Sequence, residues 1–132
     1  MAKSDYLENK ILNFVFNGGS FTAPSTVYLA LFTSEPTDAG GGTEVSGGSY
    51  ARKAVTCNTT NFPLTTTGII TLATAQAFAT ATADWGTVVA FAIFDALSGG
   101  NMLYWVLLGT PRTILNGDSI QVNASGLTIS ED

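Results

Sequence analysis

Carboxylates, one thiol and a set of aromatic side chains are the residues of this 132-residue chain that could do chemistry, and histidine is absent. Without histidine there is no group whose ordinary pKa suits general base work at neutral pH. The Ser-His and Cys-His nucleophile pairs are excluded with it, and so is the commonest zinc ligand. Cys57 is the only cysteine. It has no second thiolate to share a metal and no neighbouring motif to activate it, so it reads as a small hydrophobe in or beside a strand. Glu35, Asp38, Glu44, Asp84, Asp95 and Asp118 are scattered, mostly among turn residues. Glycoside cleavage needs two facing carboxylates in a cleft, and calcium loops need regularly spaced oxygen ligands. Neither spacing is present, so these acids read as turn-forming and solubilising groups. No catalytic, metal or cofactor site is expected.

Trp85, Trp105, Tyr6, Tyr28, Tyr50 and Tyr104 could stack on sugar rings if they were exposed together. Tyr104 and Trp105 are adjacent in an apolar strand and point to opposite faces. Packing is therefore the expected use of at least one, and Trp85 is expected to cover one end of the fold. A carbohydrate-binding platform stays open as a secondary reading.

The elements that must position these residues follow from periodicity. Asp5 followed by Glu8 reads as a helix N-cap with its partner. Leu7, Ile11, Phe14 and Val15 then make one apolar stripe, and Asn17-Gly18-Gly19 ends it. The spacing predicts a helix over about 5–16, too short to bury its stripe alone, lying against a sheet or a neighbouring subunit. From residue 27 the pattern is that of strands. Val27 to Phe32, Tyr50 to Thr56, Gly68 to Leu72, Ala75 to Phe78, Val88 to Phe94, Met102 to Leu108 and Leu127 to Ile129 are apolar or alternating runs between turns. Val88–Phe94 and Met102–Leu108 are expected to form a hairpin. Thr113-Ile114-Leu115 and Ser119 to Asn123, around Asn116-Gly117-Asp118, are expected to form another. The fold class is mainly β: one domain over 1–132, an antiparallel sandwich or jelly-roll-like barrel with a short N-terminal helix.

Composition bounds the partners. Hydrophobic residues make up 45% of the chain and charged ones only 11%, against about 25% charged in an ordinary soluble domain. A surface polar mainly through Thr, Ser, Asn and Gly is cheaply dehydrated and suits a protein packed against neighbours. The net charge is −5, with no basic stripe, so neither nucleic acid nor an anionic membrane is an expected partner. A single cysteine and no visible signal peptide point to folding in a cytoplasm.

Ordered blocks of the sequence carry a resemblance. Tyr6-Leu7-Glu8-Asn9-Lys10-Ile11-Leu12-Asn13 is followed by Val27 to Phe32, then Asp38 to Val45, then Gly47 to Arg52. Trp85 to Val88, Ile93 to Ala96, Gly99-Gly100-Asn101 and Leu103-Tyr104 continue in register. The whole resembles small proteins of tailed-phage structural gene clusters, commonly labelled tail fibre or virion structural proteins. The resemblance implies a non-enzymatic part of a phage virion, assembled in the host bacterial cytoplasm, and carries no catalytic residues with it. Similar small β-sandwich proteins serve as capsid cement, so the function expected first is a cement or decoration protein that binds and stabilises the major capsid protein lattice, with a tail fibre or baseplate accessory, bound to tail proteins, as the alternative. The implied unit is a homo-oligomer, a trimer by similarity to other cement proteins. The expected contact regions are the helix, through Tyr6, Leu7 and Ile11, and the loop carrying Asp38, Gly41 and Glu44. Tyr50, Arg52, Lys53 and Arg112 join them, the cations either meeting an acidic partner or pairing within the chain.

Overall fold

The computed structural model describes residues 1–131. Ser4 opens the helix α1 (Asp5–Phe16): its backbone is extended and its hydroxyl accepts from the Leu7 N–H at 3.2 Å. The cap is thus Ser4, not Asp5, which lies with Glu8 in the first turn, where carboxylates favour the helix dipole. The same hydroxyl donates to the Met102 carbonyl, so the cap also ties the helix to the sheet. Asn17 closes the helix through its N–H to the Asn13 carbonyl.

The main sheet is built from β1 (Ala2–Lys3), β2 (Thr26–Ser34), β3 (Thr43–Glu44), β4 (Lys53–Thr56), β7 (Gly86–Phe94) and β8 (Met102–Ile114). Its order is β1-β8-β7-β2-β3, with β4 on the same edge of β2 as β3, and every pairing is antiparallel. The expected β7–β8 hairpin is present, but β8 continues to Ile114. Val88 pairs with Arg112 and Ala90 with Leu107, so Leu108 to Pro111 bulge out opposite Val89. Pro111 lacks an N–H for the ladder, which makes a bulge its natural place.

The second hairpin expected from the sequence does not form. Its turn does: Asp118 N–H donates to the Leu115 carbonyl, and Asp118 Oδ2 accepts from the Leu115 N–H. Beyond that turn the chain crosses to the opposite layer. There β5 (Ile69–Thr71) pairs with β10 (Thr128–Ser130), and β6 (Gln76–Ala77) pairs with β9 (Gln121–Val122). Bonds from Leu72 N–H to the Leu127 carbonyl and from Phe78 N–H to the Ile120 carbonyl link the two ladders into one interrupted antiparallel ribbon. The sandwich is therefore a broad sheet faced by a narrow ribbon.

The core lies between them, where Leu29, Leu31, Val55, Val88, Phe91, Ile93 and Leu103 of the sheet meet Leu72, Phe78 and Leu127. Leu7 of α1 is part of it at 5% exposure. The outer face of the sheet carries a second cluster in which Ala30, Ala90 and Ala92 are fully buried. Small side chains there leave room for rings. Phe32 and Phe94 stack with centroids 6.2 Å apart, packed in one cluster with the alanines.

Candidate interface

Two regions outside the core bear on function: a polar network with a cleft at one edge of the sheet, and an apolar stretch at the end of α1.

The network centres on Arg52. Its side chain is only 7% exposed, and its guanidinium lies 3.7 Å from the centroid of the Phe94 ring. Arg52 Nε and Nη2 donate to the two oxygens of Glu44 at 2.9 and 2.8 Å, a bidentate pair. Its Nη1 donates to the carbonyls of Ala96 and Gly99, both at 2.8 Å, which pins the β7–β8 turn. Tyr50 joins through its hydroxyl, which donates to Glu44 Oε1 and accepts from the Leu31 N–H. Burial first, and then the neighbouring carboxylate, push the Tyr50 phenol above its ordinary pKa, so it stays protonated. Tyr50 can reach inward because Ser49 adopts a left-handed conformation and the Tyr50 N–H closes a turn on Gly47. For that reason the strand expected from Tyr50 begins only at Lys53.

Beside this network is a cleft of about 420 Å³, bordered by Tyr6, Asp38, Gly41, Glu44 and Asn101, with Phe94 at its base. The loop 35–42 forms one wall. It is anchored by the Asp38 carbonyl, which accepts from the Asp5 N–H, and by Asp38 Oδ1, which accepts from Trp105 Nε1 at 2.7 Å. The structure thus brings Tyr6, Asp38, Gly41, Glu44, Tyr50 and Arg52 to one end of the sheet. It does not bring the other expected contact residues there. Leu7 is in the core, and Ile11 packs half-buried against it. Lys53 pairs in register with Leu29, and Arg112 is exposed at the β8 bulge. Arg52 follows its intrachain alternative: every nitrogen is spent within the chain, leaving no free cation to present to a partner.

The remaining candidates take structural places. Trp85 is buried, its Nε1 donating to the Gly48 carbonyl and its ring meeting Tyr50 edge-on at 5.3 Å. Trp85 belongs to the inner cluster and Trp105 to the outer one, so the tryptophans form no common platform. Asp84, Asp95 and Asp118 each accept from backbone N–H groups of turns. Burial raises the Cys57 thiol above its ordinary pKa, which disfavours the nucleophilic thiolate. Among the described residues no three His, Cys, Asp or Glu side chains gather as a metal site. No helix among them is long and apolar enough to cross a membrane.

The family model described as podophage GP4 fiber I protein gp80 matches residues 2–130. The chain belongs to this family. Membership makes it a bacteriophage virion structural protein, in agreement with the resemblance read from the ordered sequence blocks. No curated protein matches the chain.

The apolar stretch of α1 is wider than the stripe read from the spacing, which held Phe14 and Val15 but not Leu12 and Phe16. Leu12, Phe14, Val15 and Phe16 are 53, 56, 60 and 76% exposed. Phe14 continues the stripe of Leu7 and Ile11 but overhangs the sheet. Leu12, Val15 and Phe16 sit at i, i+3 and i+4 on another side of the helix. The signal was present: five of the six side chains from Ile11 to Phe16 are apolar, more of the circumference than one sheet can cover.

Proposed function

We propose that the protein is a non-enzymatic, multi-copy adhesive module of a phage tail fibre, holding together other virion proteins and copies of itself. The observation that carries this reading is the fibre-family match over residues 2–130. The fold supports it: a compact sandwich whose polar groups are occupied in turns and in two ion pairs, Arg52–Glu44 and Lys3–Glu131, in a chain low in charge. Contact with fibre or other tail proteins would form through the end of the sheet that bears Tyr6, Asp38, Gly41 and Glu44, where glycines leave backbone groups accessible. Many copies, each with a modest interface, multiply effective affinity.

Capsid cement is the second reading, favoured by a sandwich with no slender shaft among the described residues and by a sequence without an internal repeat. Its partner would be the major capsid protein. Quantitative mass spectrometry of purified particles separates the two. A fibre component is present at a few to a few dozen copies per particle and is labelled by antibody at the tail vertex. A ratio near one per major capsid subunit transfers the protein to the head, and absence from particles ends both readings.

A further inference from the structure

We propose that Asn17 is a site of spontaneous deamidation, at which the backbone nitrogen of Gly18 attacks the Asn17 side-chain amide and leaves aspartate and isoaspartate at the end of α1. Asn116, the other asparagine followed by glycine, is protected by its turn.

The reaction uses atoms already adjacent in the chain. Hydroxide takes the proton of the Gly18 N–H, and the nitrogen forms a bond to Asn17 Cγ. The Cγ–Nδ2 bond breaks, ammonia leaves and a five-membered imide closes. Water then opens the ring at either carbonyl, giving aspartate or isoaspartate. A side chain on the following residue crowds the attacking nitrogen, and glycine has none. Of the eight asparagines only Asn17 and Asn116 precede glycine.

Both asparagines are exposed, so hydrogen bonding is what separates them. For the attack, ψ of the asparagine must turn until the next nitrogen reaches Cγ. At Asn17 φ is −118° and ψ is 8°, already outside the helix. The Gly18 N–H makes no hydrogen bond to another described residue. Turning ψ there breaks one bond, from the Gly19 N–H to the Asn13 carbonyl at 2.9 Å. At Asn116 the attacking nitrogen is itself engaged, the Gly117 N–H donating to the Ala81 carbonyl at 2.7 Å. The same rotation also breaks the bond from the Asp118 N–H to the Leu115 carbonyl and that from the Leu115 N–H to Asp118 Oδ2. Each such bond slows the reaction several-fold, so Asn17 reacts roughly tenfold or more faster than Asn116. The product weakens the helix end. The C-terminus of a helix carries partial negative charge, and α1 has no basic residue in its last turn to offset a new carboxylate. The bond from Asn17 Nδ2 to Asn13 Oδ1 is lost with the amide.

The test is peptide mapping by mass spectrometry of the full chain held in warm, mildly alkaline buffer, with and without urea. In the native protein position 17 exchanges amide for acid, as two isomers separable by chromatography, roughly tenfold or more faster than position 116. In urea, where the protecting turn is gone, the two rates converge. Gly18→Ala, whose new methyl meets no atom within 4 Å, slows conversion at 17, with circular dichroism as the check on folding. If that variant does not fold, Asn17→Gln takes its place, since its longer side chain must close a six-membered ring. Asn17→Asp, which mimics one product, melts about 1–4 °C below the wild type. Native conversion at 116 as fast as at 17, an intact Asn17, or a rate ratio unchanged by urea overturns the inference. An Asn17→Asp variant that melts with the wild type overturns the weakening of α1.

Discussion

Glu44→Ala removes the only carboxylate among the described residues that pairs with the buried Arg52 guanidinium. Breaking a buried pair from one side costs about 3–5 kcal/mol, because a charge is left uncompensated. Two features of the site place this variant at the low end. Glu44 keeps a quarter of its side chain in water, and Arg52 retains the carbonyls of Ala96 and Gly99. The Tyr50 hydroxyl loses its acceptor as well. The expected loss is about 3 kcal/mol, which lowers the melting temperature by about 10 °C in a chain of this size. Arg52→Met keeps an apolar stem over Phe94 but releases both turn carbonyls, at about 2 kcal/mol. The double variant should lose less than the two together, with a coupling of about 2 kcal/mol. Urea unfolding followed by tryptophan fluorescence measures all three, since Trp85 is buried against Tyr50. A coupling below about 0.5 kcal/mol would refute the reasoning. Arg52 would then be free to serve a partner.

Three further expectations use the same assay or simple titrations. Gly41→Ala meets only the strain of a left-handed backbone, about 1–2 kcal/mol, because no atom lies within 4 Å of the new methyl. Gly42→Ala adds a clash with Pro36 N and the Ser34 carbonyl oxygen, each 2.8 Å away, and should cost clearly more; equal losses would contradict the loop geometry. Cys57 should react slowly with a disulfide reagent at neutral pH in the native protein and quickly in urea, since burial raises its pKa; fast native labelling would show that it is open. Tyr50 and Tyr104 are held above their ordinary pKa, by burial first and then by Glu44 and Glu131 respectively. The unfolded chain therefore loses these protons near pH 10 while the folded chain keeps them. Stability should be intact below pH 10 and fall above it, with phenolate absorbance tracking unfolding. Phenolates forming in a still-folded protein would show that the two rings are open to water.

The fold class was legible because short, unbroken apolar runs between turn residues can be read without tertiary information, as in Val27 to Phe32 and Val88 to Phe94. The turn at Asn116-Gly117-Asp118 was legible for the same reason: its chemistry is local. What that turn joins was not local. A strand entering Asn116 from the main sheet leaves it in the ribbon, and only partners some forty residues away, at Gln76 and Ala77, decide this. The Thr- and Ala-rich composition of 65–83 offers no apolar alternation from which that register could be read. Ser4 was overlooked as a cap because the acid beside it fits the local pattern equally well, and the deciding contact is to Met102.

Charge and apolarity took places that the sequence left open. The cations could meet an acidic partner or pair within the chain, and the helix stripe could lie against the sheet or a neighbouring subunit. In a chain with so few charges, an arginine and a glutamate at the edge of the sheet do more by fixing each other and the β7–β8 turn than by waiting for a partner. Four of the five guanidinium N–H groups of Arg52 are bonded within one copy. The helix, tied down at Ser4 and Leu7, runs past the edge of the body and leaves its apolar end uncovered. An unpaired charge at an interface must be matched by a specific partner. An apolar surface is satisfied by any complementary apolar shape, including its own. A protein with few charges therefore gains by spending one buried arginine on its own fold, while most of its other charged side chains and the apolar end of α1 stay in water.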